Sequence, residues 1–113
     1  NLLNLKKLYI YNNQITLLPI SITNLTNIEE LNIDDNKITE ISPDFGKLIN
    51  LEKLHLCNNQ IKILPSEIGN LTNLKELNLN DNKIGKIPME IGNLINLETL
   101  TFYNNPIDSK YYM

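Results

Sequence analysis

A chain of 113 residues with 42% hydrophobic content is long enough for one small domain with its own core. Trp, Ala, Val and Arg are absent and aromatics make up 6%, so that core is aliphatic, built from Leu and Ile. A net charge of −3 and a pI near 5.0 argue against the basic face that nucleic-acid binding demands, and neither a long apolar run nor a basic amphipathic helix suits a membrane.

All ten basic residues are Lys, and Asn fills 20 positions. This excess of Asn, Ile and Lys is that of an AT-rich coding sequence, so a single Asn or Lys carries little meaning unless its position recurs. Cys57 is the only cysteine, which excludes an internal disulfide and removes any demand for an oxidising compartment. The chain opens Asn1-Leu2-Leu3-Asn4, without an initiator Met or a secretory signal, and reads as an excised fragment or one lacking its first residues.

In chain order, Asn1, Leu2 and Asn4 match Asn70, Leu71 and Asn73, so residues 1–4 read as the tail of a preceding unit. Five units follow at a spacing of 23 residues, starting at Leu5, Ile28, Leu51, Leu74 and Leu97. Their first halves read LKKLYIYNNQI, IEELNIDDNKI, LEKLHLCNNQI, LKELNLNDNKI and LETLTFYNNPI, a shared L-x-x-L-x-L-x-x-N-x-I without insertion or deletion. The repeats span 5–27, 28–50, 51–73, 74–96 and 97–107 of a single domain over 1–113. Residues 108–113 diverge, and either Tyr111 and Tyr112 cover the last layer or the array is cut there.

Within each first half the alternation of Leu8, Tyr9, Ile10 and Tyr11 has period two, which predicts a short strand with one buried face. Parallel pairing of successive strands needs a crossover, and the second half of each unit supplies it. Pro65-Ser66-Glu67-Ile68-Gly69 places Pro at a helix start and Gly where a turn ends, predicting one helical or 3₁₀ turn per unit. In Ser42-Pro43-Asp44-Phe45-Gly46 the Pro is displaced by one place, so that crossover is expected to differ slightly. Leu51, Leu54, Leu56, Ile61, Leu64, Ile68 and Leu71 are the expected inward set of the third unit. A lone unit cannot bury such a face, so stability depends on stacking.

The recurrent frame resembles the leucine-rich repeat family over essentially the whole chain. The LPxxIGNLxNL halves are similar to its intracellular, Ras-suppressor-like class of 23-residue repeats. The resemblance implies an α/β fold: a right-handed solenoid with a short-stranded parallel sheet on the concave side and short helical or 3₁₀ turns on the convex side. It also implies protein–protein recognition on the inner sheet, as a scaffold or the recognition segment of a larger protein, with a cytoplasmic location. The alternative is an extracellular or pathogen-type recognition module, for which Asn24-Leu25-Thr26 and Asn70-Leu71-Thr72 supply glycosylation sequons.

The column Asn13, Asn36, Asn59, Asn82 and Asn105 sits where each strand turns into its crossover. With donor and acceptor on one side chain, these residues are expected to satisfy backbone groups of the bend. Specificity falls to the exposed positions between the leucines. One column reads Tyr9, Asn32, His55, Asn78 and Thr101; the next reads Tyr11, Asp34, Cys57, Asn80 and Tyr103. Tyr9, Tyr11 and Tyr103 are the expected anchors, although Tyr also tolerates a plain strand surface. Lys7, Glu30, Lys53, Glu76 and Thr99 alternate in sign and are expected to pair laterally, whereas Asp34, Asp35 and Asp81 lack an opposite charge in their columns and suggest a partner with a basic protrusion. Replacing Tyr11 and Asp34 together is expected to abolish binding and leave stability nearly unchanged. His55, Cys57 and Asp34 together raise a metal site or a Cys/His nucleophile, but no second His or Cys accompanies them and no oxyanion-hole element is legible. No enzyme activity, metal or cofactor is therefore expected.

Overall fold

The computed structural model describes residues 2–108. Five strands of three residues, β1 (Lys7–Tyr9), β2 (Glu30–Asn32), β3 (Lys53–His55), β4 (Glu76–Asn78) and β5 (Thr99–Thr101), form one parallel sheet in sequence order. Register follows the repeat: Leu8 lies opposite Leu31, Leu31 opposite Leu54, Leu54 opposite Leu77, and Leu77 opposite Leu100. Because every unit has the same length, each leucine lands beside its equivalent and the ladder never slips. This is the solenoid expected from the repeat.

Each strand ends in a bend whose backbone enters the left-handed region, at Asn12, Asp35, Asn58, Asp81 and Asn104, with φ between 57° and 59°. Short polar side chains tolerate that region better than other non-glycine residues do. The position is Asn or Asp in all five units, a signal the sequence reading passed over.

The crossovers carry the expected 3₁₀ turns. After η1 (Leu2–Asn4) come η2 (Ile20–Asn24), η3 (Pro43–Lys47), η4 (Ser66–Asn70) and η5 (Met89–Asn93). Pro19, Pro65 and Pro88 cap η2, η4 and η5 in extended conformation, their fixed φ near −62° to −70° setting the entry. The displaced proline of the second unit does not change the length of its turn. Ser42 takes the cap position instead, and its hydroxyl accepts the Asp44 N–H at 3.1 Å.

The core lies between the sheet and the 3₁₀ turns. All seven inward residues expected for the third unit are buried, and Phe45 fills the position that Ile22 and Ile68 hold in neighbouring coils. At the two ends Leu8, Ile10, Leu97, Leu100 and Phe102 are only partly covered. No helix among the described residues is long and apolar enough to cross a membrane.

Neighbouring turns approach closely at their glycines. A Cβ added to Gly69 would lie 2.7 Å from the Glu90 carbonyl oxygen, a backbone atom that cannot move aside, and one added to Gly46 would lie 3.0 Å from the Glu67 carbonyl oxygen. We expect Gly69→Ala to destabilise by about 1–3 kcal/mol and Gly46→Ala to destabilise by less, read by urea denaturation. No loss at either site would show that the turns can separate freely.

Candidate functional site

The register sets the two inner-face columns side by side, and the first is internally bonded. The Tyr9 hydroxyl donates to Glu30 Oε2 at 2.6 Å, and Glu30 Oε1 lies 3.8 Å from Lys53 Nζ. That phenol holds the Glu30 carboxyl below its ordinary range, while the same bond pushes the Tyr9 phenol up. His55 Nε2 is 3.2 Å from Glu76 Oε2, the Asn78 amide nitrogen is 3.4 Å from His55 Nδ1, and the Thr101 hydroxyl donates to Asn78 Oδ1 at 3.2 Å. Tyr9, Glu30, Asn32, Lys53, His55 and Glu76 surround a shallow recess of about 180 Å³.

The lateral charge ladder differs from expectation. Of the Lys7–Thr99 column only Glu30 and Lys53 form an ion pair, because Glu76 turns to His55. Two further pairs run one position earlier, Lys6 with Glu29 at 3.9 Å and Lys75 with Glu52 at 3.4 Å. All of these are solvent-screened and worth roughly 0–1 kcal/mol each.

In the second column Asp34 is not a free docking group. Its Oδ1 accepts the Cys57 N–H at 2.7 Å, and Asn80 Oδ1 accepts the Tyr103 N–H at 2.7 Å, so each side chain clamps the backbone of the next coil. The expectation that Asp34 could be replaced without loss of stability is therefore corrected. Asp35 and Asp81 likewise accept from the Asn58 and Asn104 amides, both at 2.8 Å. Among the described residues no ion pair involves these three aspartates, and the hydrogen bonds they accept here come from neutral amide donors.

Burial raises the Asp34 carboxyl above its ordinary range despite the Cys57 N–H bond, and burial together with the Asp34 charge pushes the Cys57 thiol up. A thiol so placed is mostly protonated near neutral pH, which is the reverse of an activated nucleophile. Cys57 is expected to react with iodoacetamide at pH 7.5 at least several-fold more slowly than free cysteine, and Asp34→Asn is expected to accelerate it. Reaction at the free-thiol rate would contradict this electrostatic account. Among the described residues no three His, Cys, Asp or Glu side chains gather as a metal-holding group.

The Asn column spans coils. Asn59 Nδ2 donates to the Ile33, Leu56 and Cys57 carbonyls at 3.0, 3.1 and 3.3 Å, and its Oδ1 accepts the Ile38 N–H at 3.1 Å. Asn36 and Asn82 repeat this pattern in the buried interior. Asn105 donates back to Leu79 and accepts from Ile84, while Asn13 reaches only Ile10 and Tyr11 of its own coil. A second asparagine ladder was missed: Asn27, Asn50, Asn73 and Asn96 each donate to the coil before, at 2.7–2.9 Å. The recurring Asn before each unit's first apolar residue was its signal, hidden within the general Asn excess.

Beside these engaged polar groups the inner face presents three exposed aromatic side chains. Tyr9, Tyr11 and Tyr103 remain 51%, 54% and 71% exposed. Tyr111 and Tyr112 lie outside the described residues. On the outer side Ile63, Gly85, Pro88 and Met89 line an open hollow of about 580 Å³ between the third and fourth crossovers.

Comparison with known proteins agrees with this architecture. The leucine-rich repeat region profile matches residues 1–83 and the two-copy leucine-rich repeat profile matches residues 72–110. The chain belongs to the leucine-rich repeat family, whose fold generally mediates protein–protein interaction. No curated protein sequence matches it. Among solved structures, a leucine-rich repeat protein of Leptospira interrogans is 41% identical with a TM-score of 0.87, covering 91% of this chain and 26% of that one. The ectodomain of the receptor kinase SOBIR1 from Arabidopsis thaliana is 29% identical (TM-score 0.81; 91% and 58% covered), and an internalin from Listeria monocytogenes is 27% identical (TM-score 0.76; 96% and 37% covered). The chain thus spans only 26–58% of the length of these three structures.

Proposed function

We propose that this segment is a non-catalytic recognition element that binds a protein partner on its concave face. The face comprises Tyr9, Tyr11, Asn32, Asp34, His55, Cys57, Asn78, Asn80, Thr101 and Tyr103. The observation that carries the reading is the exposure of three tyrosines on a face whose Glu30, Asp34, His55, Asn78 and Asn80 side chains are held by bonds between coils. Rigid aromatic side chains on a pre-ordered surface give large contact area at low entropic cost. The clamps hold Asp34 and Asn80 in place and so set the level of that surface.

A photo-crosslinking amino acid at Tyr11, Cys57 or Tyr103 is expected to trap one common protein in the source cell, and one at Ile63 or Met89 is expected not to. Tyr103→Ala in the Tyr11 probe should weaken the trap while leaving the thermal transition in place. Crosslinks only from Ile63 or Met89 would move the site to the outer side.

The similarity of the LPxxIGNLxNL halves to the intracellular Ras-suppressor-like class supports a cytoplasmic placement. The second reading, an extracellular or pathogen-type module, is favoured by the receptor ectodomain and the internalin among the similar structures, and by the solvent exposure of Asn24 and Asn70 in the two sequons. Glycosidase-sensitive mass at those asparagines in the native protein would decide for the second.

A further inference from the structure

The first inner-face column contains a hydrogen-bond chain with a single direction. Thr101 Oγ1 donates to Asn78 Oδ1, Asn78 Nδ2 faces His55 Nδ1, and His55 Nε2 faces Glu76 Oε2. An ionised carboxylate only accepts, so Nε2 carries the hydrogen; an amide nitrogen only donates, so Nδ1 is the bare acceptor. The chain therefore reads Thr101 to Asn78 to His55 to Glu76, with a neutral imidazole. The titratable groups facing the ring are Tyr9 from β1, Glu30 from β2, Asp34 from the segment just after it, Lys53 on β3 itself, and Glu76 from β4.

A second proton on this imidazole has one place to go, Nδ1, where it meets the Asn78 NH₂ group. Two donors then oppose each other. A half-turn of the Asn78 amide about its terminal torsion removes the conflict: Oδ1 accepts from Nδ1–H, and Nδ2 donates to the Thr101 hydroxyl oxygen. A hydroxyl accepts as readily as it donates, so Thr101 yields without moving its backbone and turns its hydrogen outward. The equivalent Asn32 cannot do this, because its Oδ1 already accepts the Asp34 N–H at 3.0 Å.

We propose that His55, Asn78 and Thr101 form a proton-driven switch that reverses the hydrogen-bond direction from β3 to β5 and changes Thr101 from an acceptor toward the concave space into a donor. The switch deepens the recognition reading by making the face respond to pH, yet it is a property of the free chain. Failure of the binding reading would leave it standing, and its own failure would leave the binding reading standing.

The test is a ¹⁵N titration of the whole chain from pH 8 to pH 5, the range in which histidine changes charge. At the upper end the His55 nitrogens should show the Nε2–H tautomer. The Asn78 side-chain amide and the Thr101 methyl should then shift with the same midpoint as the imidazole, while the Asn32 amide stays still. In Asn78→Asp a carboxylate accepts from Nδ1–H without any rotation, and the His55 midpoint should rise by about one unit or more. An Nδ1–H tautomer at pH 8, or Asn78 and Thr101 signals that stay flat while His55 titrates, would overturn the proposal.

Discussion

Phe45→Ala is expected to lower the unfolding free energy by about 3–5 kcal/mol, the range for removing a fully buried phenyl ring. Phe45 is 1% exposed and sits in η3, packed between the coils that carry Ile22 and Ile68. The ring is larger than the isoleucine of neighbouring units, and backbone anchored on both sides limits collapse into the void. Each coil contacts only its neighbours, so damage to the second coil weakens its contacts with both the first and the third. Urea denaturation followed by far-UV circular dichroism should show a lower midpoint, and a shallower slope if the first coil then melts separately. A loss below about 1.5 kcal/mol would mean that the second crossover repacks, contrary to the tight interior described above.

Asn59→Ala should cost on the order of 3 kcal/mol, because one truncation removes a donor to three carbonyls and the acceptor of the Ile38 N–H. The Ile33 and Leu56 carbonyls keep a second donor, Asn36 and Asn82 respectively, but the buried Ile38 N–H loses its partner. Asn13→Ala is the internal control. Asn13 is exposed and its side chain bonds only within its own coil, so truncating it should cost below about 1 kcal/mol. Asn59→Asp separates the two roles: it can still accept from Ile38, yet it offers no hydrogen and buries a charge, so it should be at least as damaging as Ala. Thermal unfolding of the three variants checks the order, and an Asn13→Ala loss equal to that of Asn59→Ala would contradict the cross-coil account.

The fold was legible wherever a residue type recurred at the repeat length. Leu31, Leu54 and Leu77 had to align once the units lacked insertions, and alternation assigned their neighbours to the open face. The asparagine ladder could be placed for the same reason. Where one position holds different residue types, the sequence offered less. Asp34, Cys57, Asn80 and Tyr103 share a column, but only Asp34 and Asn80 carry an oxygen that can clamp the next coil, and which bond forms depends on rotamer and reach rather than on pattern. The charge ladder formed only between Glu30 and Lys53 on similar grounds, since Glu76 had two possible partners and took the imidazole over Lys53. The partner is illegible because the repeat frame constrains only the buried half of each strand.

The burial of the central coil also has a kinetic meaning. Leu54 and Leu56 are fully covered by the coils on either side. In a spring of identical turns, each held by its neighbours alone, such a turn loosens only after one beside it has let go. His55 and Cys57 therefore ride on a turn whose opening waits on others, and whatever settles there meets a firm seat.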